Sequence, residues 1–269
     1  MSDGVPSCDV VVVGAGLSGL TCAHLLYEAG LHTIVLEASE RVGGRIHSVG
    51  HSTTGAYAAD LGPTWVWPPY QPSVAEWLTR LNIATFAQFE DGNAVLDMDE
   101  NSPVQHQPLP CQHGIRRVTG GPQALVDALS RKLPKEVVKT GHAVARIDAS
   151  ASSLSVTARG PHITTLQAKY VVIAVPPRVA AQNIALTPAL DSAMLATMER
   201  TPSWMAAKPK PSPCTSTRSG VHKGSRAGLR ARLGRSSRSM ITATRTAAKP
   251  LSSVLSVGPM PRASLTLMP

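Results

Sequence analysis

The sequence predicts an α/β fold whose core is a parallel sheet, and three observations carry that expectation. Asp9 to Val13 is an uninterrupted apolar run ending in glycine, Leu17 to Ala29 has helical composition, and Thr33 to Leu36 is a second short apolar run. Strands apolar on both sides suit a sheet covered on both faces, and a helix between two of them makes a parallel crossover. The first 37 residues therefore read β-α-β, with Gly30 as the stop after the helix.

Farther along, prolines cluster at Pro63, Pro68, Pro69 and Pro72, a helix is expected over Ser73 to Leu81, and Asp91-Gly92 signals a hairpin turn. This stretch, from His51 to Leu109, reads as an inserted lobe. After Gly120-Gly121-Pro122 an amphipathic helix is expected over Gln123 to Leu133. Alternating segments at Ala143 to Ile147, Leu154 to Ala158 and Ile163 to Leu166 fit an antiparallel meander. Tyr170 to Val175, closed by Pro176-Pro177, reads as a strand returning to the first sheet.

Composition sets the outer bounds. With 269 residues, 43% of them hydrophobic, the chain has material for a substantial core. No run approaches the roughly 18 apolar residues of a spanning helix, and Met1 to Cys8 lacks the basic and apolar regions of a secretory signal. Cys8, Cys22, Cys111 and Cys214 are scattered without CxxC spacing, which reads as free thiols and a cytoplasmic chain without membrane partners. The net charge of +9 is unevenly spread. Residues 201–269 hold 12 of the 26 Lys and Arg and none of the 17 acidic residues, leaving 14 basic against 17 acidic before them. A basic tail thus follows a mildly acidic body.

Gly14-Ala15-Gly16-Leu17-Ser18-Gly19 is a GxGxxG placed after a strand and opening a helix. Gly14 permits the tight turn, Gly16 lets a diphosphate approach the backbone, and Gly19 allows the helix to pack closely on the strand. The helix N-terminus offers unpaired N–H groups to phosphate, and Ser18 can add a hydroxyl. Glu37, 18 residues beyond Gly19, ends the second strand, where an acid accepts bonds from both ribose hydroxyls and repels a 2′-phosphate. FAD or NAD is favoured over NADP. The fold is accordingly an FAD/NAD(P)-binding Rossmann-like one with an antiparallel meander and a partial inserted substrate lobe.

Flavin is distinguished from nicotinamide by Glu37-Ala38-Ser39-Glu40-Arg41-Val42-Gly43-Gly44-Arg45. Its two glycines permit a second backbone approach to the cofactor, and Arg41 and Arg45 add positive charge beside the diphosphate. With these residues the chain resembles the flavin-containing amine oxidases, most closely the compact bacterial flavin monoamine oxidases. Asp60-Leu61-Gly62-Pro63-Thr64-Trp65 is similar to the family segment that passes the flavin ring. Arg117-Val118-Thr119-Gly120-Gly121 is similar to the one that re-enters the FAD domain, and Val144 sits where family members touch the adenine through backbone groups. Ala174-Val175-Pro176-Pro177 and Leu186-Thr187-Pro188-Ala189-Leu190 also look familial. The likeness runs from about residue 8 to 206.

The resemblance implies FAD as cofactor and a small-molecule amine as substrate, oxidised to an imine with oxygen as acceptor. It implies cofactor contacts at Gly14, Ala15, Gly16, Ser18, Gly19, Glu37, Ala38, Arg41, Gly44, Arg45, Gly62, Pro63, Thr64, Trp65 and Val144. Beyond Ser203-Trp204-Met205 the family's aromatic-bearing strands, flavin-side lysine and closing segment have no counterpart. Lys208, Lys210, Lys223 and Lys249 stand in no matching context, so no catalytic residue is assigned. The expected division is 1–65 as the FAD-binding βαβ unit, 66–115 as inserted lobe, 116–180 as FAD domain continued, 181–206 as the start of a second lobe segment, and 207–269 as a basic tail.

That tail, without aromatics after Trp204, is expected to be disordered or the product of a frameshift. A truncated and inactive FAD-binding remnant is one alternative, and a basic arm for nucleic acid or anionic surfaces another. Such an arm would bind unspecifically, having no aromatic for base stacking. No metal is expected. His47 and His51 read as loop residues, Cys111 and His113 as isolated, and His24 as a packing residue in the first helix. Trp65, Trp67 and Tyr70 could line a substrate channel or pack the lobe.

Overall fold

The structure is a computed structural model that describes residues 5–51, 57–88, 93–96, 105–107, 114–149, 152–202, 225–230, 232–233, 237–246 and 249–259. In chain order its elements begin with β1 (Ser7–Val13), α1 (Leu17–Glu28), β2 (Thr33–Leu36), β3 (Ser48–His51) and β4 (Tyr57–Asp60). A 3-10 turn at Pro68–Tyr70 leads into α2 (Pro72–Arg80), followed by β5 (Thr85–Ala87), β6 (Asn93–Leu96), β7 (Gln105–Gln107) and β8 (Arg116–Val118). Then come α3 (Gln123–Lys132), β9 (Val138–Lys139), β10 (Ala143–Asp148), β11 (Leu154–Arg159) and β12 (Thr164–Ile173). They are followed by α4 (Pro177–Asn183), β13 (Ala185–Thr187) and α5 (Ser192–Arg200). The tail carries β14 (Ser225–Arg230), β15 (Arg232–Leu233), β16 (Ser237–Thr246) and β17 (Lys249–Pro259).

These elements fall into two compact units, residues 1–46 with 125–204, and residues 47–124 with 205–269. The first holds a seven-stranded sheet in the order β13-β10-β11-β12-β1-β2-β9. β1 runs parallel to both β2 and β12, and β2 parallel to β9, while β11 is antiparallel to β10 and β12. Val11, Val12 and Val35 are fully buried, as expected of strands covered on both sides. Their burial, with that of Leu36, Val156, Ala158 and Leu166, forms the core that fixes the ends of β1 and β2.

One sequence expectation is corrected here. The segments Ile163 to Leu166 and Tyr170 to Val175, read as separate strands, are joined by one continuous strand, β12, which covers Thr164 to Leu166 of the first and Tyr170 to Ile173 of the second. Its first half pairs antiparallel with β11 (Val156↔Leu166) and its second half parallel with β1 (Val10↔Tyr170). Polar Gln167 and Lys169 mask the continuity in the sequence. Lys169 stays exposed and reaches Asp9 on β1 at 2.7 Å, so its charge is met across the pair instead of breaking the strand.

The second unit has the β3–β4 hairpin, β5 paired antiparallel with β8, β6 paired with β7 and with β14, and the β15-β16-β17 sheet. The turn expected at Asp91-Gly92 lies outside the described residues; β5 and β6 on either side pair with β8 and β7, not with each other. Residues 47–65, read with the nucleotide unit, group with this second unit, where β3 and β4 pair with each other. Residues 181–204 stay with the first unit, where β13 extends the sheet beside β10. Among the described residues of the tail, β16 and β17 form a ten-pair antiparallel ladder. Thr, Ile and Val at Ile241, Thr242, Val254 and Val257 have the strand preference that a charge-based reading overlooks.

Candidate functional site: a dinucleotide cradle at the end of the parallel strands

β1 and β2 end side by side, so the turn after Val13 and the acid after Leu36 meet at the same edge of the sheet. Ligands of open parallel sheets bind at such carboxyl ends, where neighbouring connections diverge. Here the chain leaves β1 for β2 on one side, and β12 lies on the other.

Glycine is required in this turn by geometry. Gly14 has φ of +100°, and a Cβ there would lie 2.7 Å from Val175 Cγ1. A Cβ on Gly19 would overlap the Gly14 carbonyl oxygen, so helix and turn are in backbone contact. By contrast, a Cβ on Gly16 would meet nothing within 4 Å. Space is left above that residue. Gly16 caps α1 without a side-chain hydrogen bond, and the first turn carries no acidic residue. The leading N–H groups thus point out of the helix with their partial positive charge, and no carboxylate of the helix's own first turn opposes it. Ser18 is exposed beside them.

Glu37 is buried, with only 8% of its surface exposed. One carboxylate oxygen accepts the Ala15 N–H at 2.7 Å and the other the Ser39 N–H at 2.9 Å. Each oxygen keeps lone pairs for hydroxyl donors. Its backbone is tied to the crossing segment: Glu37 N–H donates to the Lys139 carbonyl and His142 N–H to that of Glu37. Val144 follows two residues later, buried on β10. Ala38 is exposed next to the acid.

The second glycine turn lies on the first. Gly43 N–H donates to the Ala15 carbonyl at 2.8 Å, Gly16 and Gly43 form a parallel bridge, and a Cβ on Gly44 would come 3.2 Å from Gly16 Cα. Gly43 and Gly44, expected to approach the cofactor, also have a role within the protein, contact between the two turns. Arg41 also has a task within the protein. Its guanidinium donates to the carbonyls of Val42, Gly44 and Ile46, at 3.3, 2.8 and 3.0 Å, so it braces its own turn. Arg45 is exposed. Of the two arginines, it is the one without this bracing task.

Gly62, Pro63, Thr64 and Trp65 belong to the second unit. Thr64 is buried, and Trp65 donates its indole N–H to Gln88 Oε1 at 3.1 Å and meets Trp67 edge-on at 6.4 Å between centroids. Tyr70 is 73% exposed. In the same unit lies a feature the sequence did not single out, the ion pair of Arg117 with Asp60 at 3.2 Å, both side chains almost fully buried. Burial is the largest influence on Arg117 and lowers its pKa, opposed by the charge and hydrogen bond of Asp60.

His24 is buried in α1 with Nε2 3.3 Å from Glu28 Oε1, a packing position as expected. Cys8 and Cys22 are free thiols. Among the described residues no group of His, Cys, Asp and Glu could hold a metal, and no helix is long and apolar enough to cross a membrane.

The cradle defines a dinucleotide-binding protein: an open helix N-terminus, a glycine with free space beside it, and a buried acid at the neighbouring strand end. The chain belongs to the flavin-containing amine oxidoreductase family, whose model matches residues 17–111 and 107–208. FAD is the cofactor that this family implies, and the cradle fits it. Among curated relatives, amine oxidase [flavin-containing] B of Sus scrofa is 51% identical over 61 residues, covering 23% of this chain and 11% of the relative. The L-amino-acid oxidase of Vipera ammodytes ammodytes is 46% identical over 84 residues, 30% of this chain and 17% of the relative. The matched sequence thus spans less than a fifth of either relative. Wild-type putrescine oxidase bound to putrescine has a similar fold, with a TM-score of 0.76 at 16% identity, covering 95% of this chain and 76% of that one. Cyclohexylamine oxidase from Brevibacterium oxydans gives 0.74 at 15% identity, covering 94% and 75%.

Proposed function

We propose that this chain binds FAD at the Gly14–Gly19 turn and Glu37 and belongs to an enzyme that oxidises a small-molecule amine. The observation that carries this reading is the Glu37 carboxylate, buried, held by the Ala15 and Ser39 N–H groups, beside a helix N-terminus with open space at Gly16. When bound, the flavin supplies the redox chemistry, taking two electrons and two protons from the amine, with oxygen as the final acceptor; the resulting imine hydrolyses to a carbonyl compound.

In this reading the chain's residues bind and orient. N–H groups of Gly16, Ser18 and Gly19 face the diphosphate, with the Ser18 hydroxyl beside them; Ala15 lines the turn with its own N–H held by Glu37, and Gly14 sets the turn. Glu37 accepts the ribose hydroxyls, helped by the Ala38 backbone. Arg45 supplies charge to the diphosphate, while Arg41 acts through the Gly43-Gly44 turn that it braces. Val144 offers backbone groups to the adenine, and Gly62, Pro63, Thr64 and Trp65 form the ring-side contact. No lysine is assigned a catalytic role. The scattered thiols support a cytoplasmic setting.

A second reading, a non-catalytic FAD-binding remnant, is favoured by one observation: the family match stops at residue 208, where acids and aromatics also vanish from the sequence. Under it, residues from about 207 are frameshifted. Translating the gene in its other two frames past Ala207 tests this, and the idea fails if neither resumes an aromatic-bearing family sequence. Purification of a yellow protein supports both readings. Hydrogen peroxide formation with a panel of primary amines and diamines supports the oxidase and excludes the remnant; a colourless protein that takes up no FAD overturns both.

A further inference from the structure

The geometry points to Asp60 and Arg117 as positioning residues that set the conformation of the Leu61–Trp65 loop. The inference rests on the proposed role of Gly62, Pro63, Thr64 and Trp65 as the flavin's ring-side contact.

Both ends of this loop are fastened to the same strand, β8. At its start, Asp60 Oδ2 accepts from Arg117 Nη2 at 3.2 Å. At its finish, Val66 and Arg116 exchange both backbone hydrogen bonds, each at 2.9 Å. Between these anchors Leu61 N–H donates to the His47 carbonyl at 2.7 Å, and Trp65 is held by Gln88. Five residues tied at each end and in between have little freedom to rearrange. Such over-determination is what a surface needs when it must present groups to a ligand within a fraction of an ångström.

Asp60 is the hub. Its Oδ1 accepts the Ser48 hydroxyl at 2.7 Å, and a Cβ placed on Gly121 would lie 2.8 Å from the same oxygen. The carboxylate therefore gathers β3, β4, β8 and the Gly120-Gly121 turn around one buried charge. An ion pair buried this deeply is weak evidence for added stability, since apolar residues can fill such a site as well. What it supplies is a fixed direction and distance that apolar packing does not. Here that precision is applied one residue before the loop begins.

The test compares full-length wild type, Asp60→Asn, Arg117→Lys and Ser48→Ala, each reconstituted with FAD. The readouts are FAD content, visible circular dichroism of the flavin, its midpoint potential and the Tm. We expect each folded variant to retain FAD, because the Gly14 and Glu37 anchors are untouched. Asp60→Asn should lose most of the visible dichroism and shift the potential, and Arg117→Lys, which keeps the charge, should recover part of both. Should Asp60→Asn not fold, Ser48→Ala, which removes one hydrogen bond and no charge, carries the test with a smaller shift of the same sign. Variants that lower Tm but leave dichroism and potential unmoved overturn the inference alone. A wild-type chain that takes up no FAD overturns the proposed function and this inference together.

Discussion

The Glu37 carboxylate accepts the Ala15 backbone N–H at 2.7 Å across 22 residues of sequence, so the acid that would hold the ribose also locks the turn that would hold the diphosphate. Replacing it should damage both. Glu37→Gln keeps the shape but loses a charge-assisted acceptor at each oxygen. It should weaken FAD binding by about 1.5–3 kcal/mol, roughly ten- to a hundredfold in Kd. Titration with FAD, followed by quenching of flavin fluorescence, checks this; an unchanged Kd would remove Glu37 from the site.

Gly19→Ala should be more severe. The added methyl would fall on the Gly14 carbonyl oxygen, and backbone cannot swing aside as a flexible side chain can. We expect a loss of about 3 kcal/mol or more in unfolding free energy together with loss of FAD. Gly16→Ala, whose Cβ meets only open space, should fold like wild type and fail at FAD binding alone. Urea denaturation of the two variants separates these outcomes.

The two arginines of the second glycine turn should part ways. Arg41→Ala removes three hydrogen bonds to turn carbonyls and should lower stability by about 1 kcal/mol while weakening FAD. Arg45→Ala should leave stability within about 0.5 kcal/mol of wild type and reduce both FAD affinity and its dependence on salt. FAD titrations at two ionic strengths distinguish them.

Legibility followed local chemistry. Strand, glycine turn, helix and acid lie within residues 9–37 and announce themselves through apolar runs and fixed glycine offsets, so β1, α1, β2 and the cradle could be read directly. The joining of 164–166 and 170–173 in β12 could not, because Gln167 and Lys169 interrupt the apolar pattern while β11 and β1 supply partners from distant sequence. Arg41, in the sequence a charge beside a glycine turn, also donates to the carbonyls of Val42, Gly44 and Ile46, contacts that no residue pattern announces. The Asp60–Arg117 pair, 57 residues apart, has no local signature at all.

The Asp9–Lys169 bridge that ties β1 to β12 gives a pH prediction at the surface. The hydrogen bond from Lys169 lowers the Asp9 pKa below its ordinary 3.8, and the same bond raises that of Lys169 above 10.5. Asp9 therefore contributes above about pH 4 and loses its contribution as pH falls through its depressed pKa. Lys169 contributes fully below about pH 10.5 and loses it as pH rises through its raised one. The difference in urea midpoint between wild type and Lys169→Ala should be flat from about pH 5 to 9, shrink towards either extreme, and fade in high salt.

The most direct test of the FAD site is the stoichiometry of FAD on the purified full-length chain, with NADH and NADPH offered as competitors. We expect one FAD per chain, undisturbed by either nicotinamide and lost in Glu37→Gln at limiting FAD. A chain that binds NADH in place of FAD, or binds FAD equally well without Glu37, would contradict this expectation.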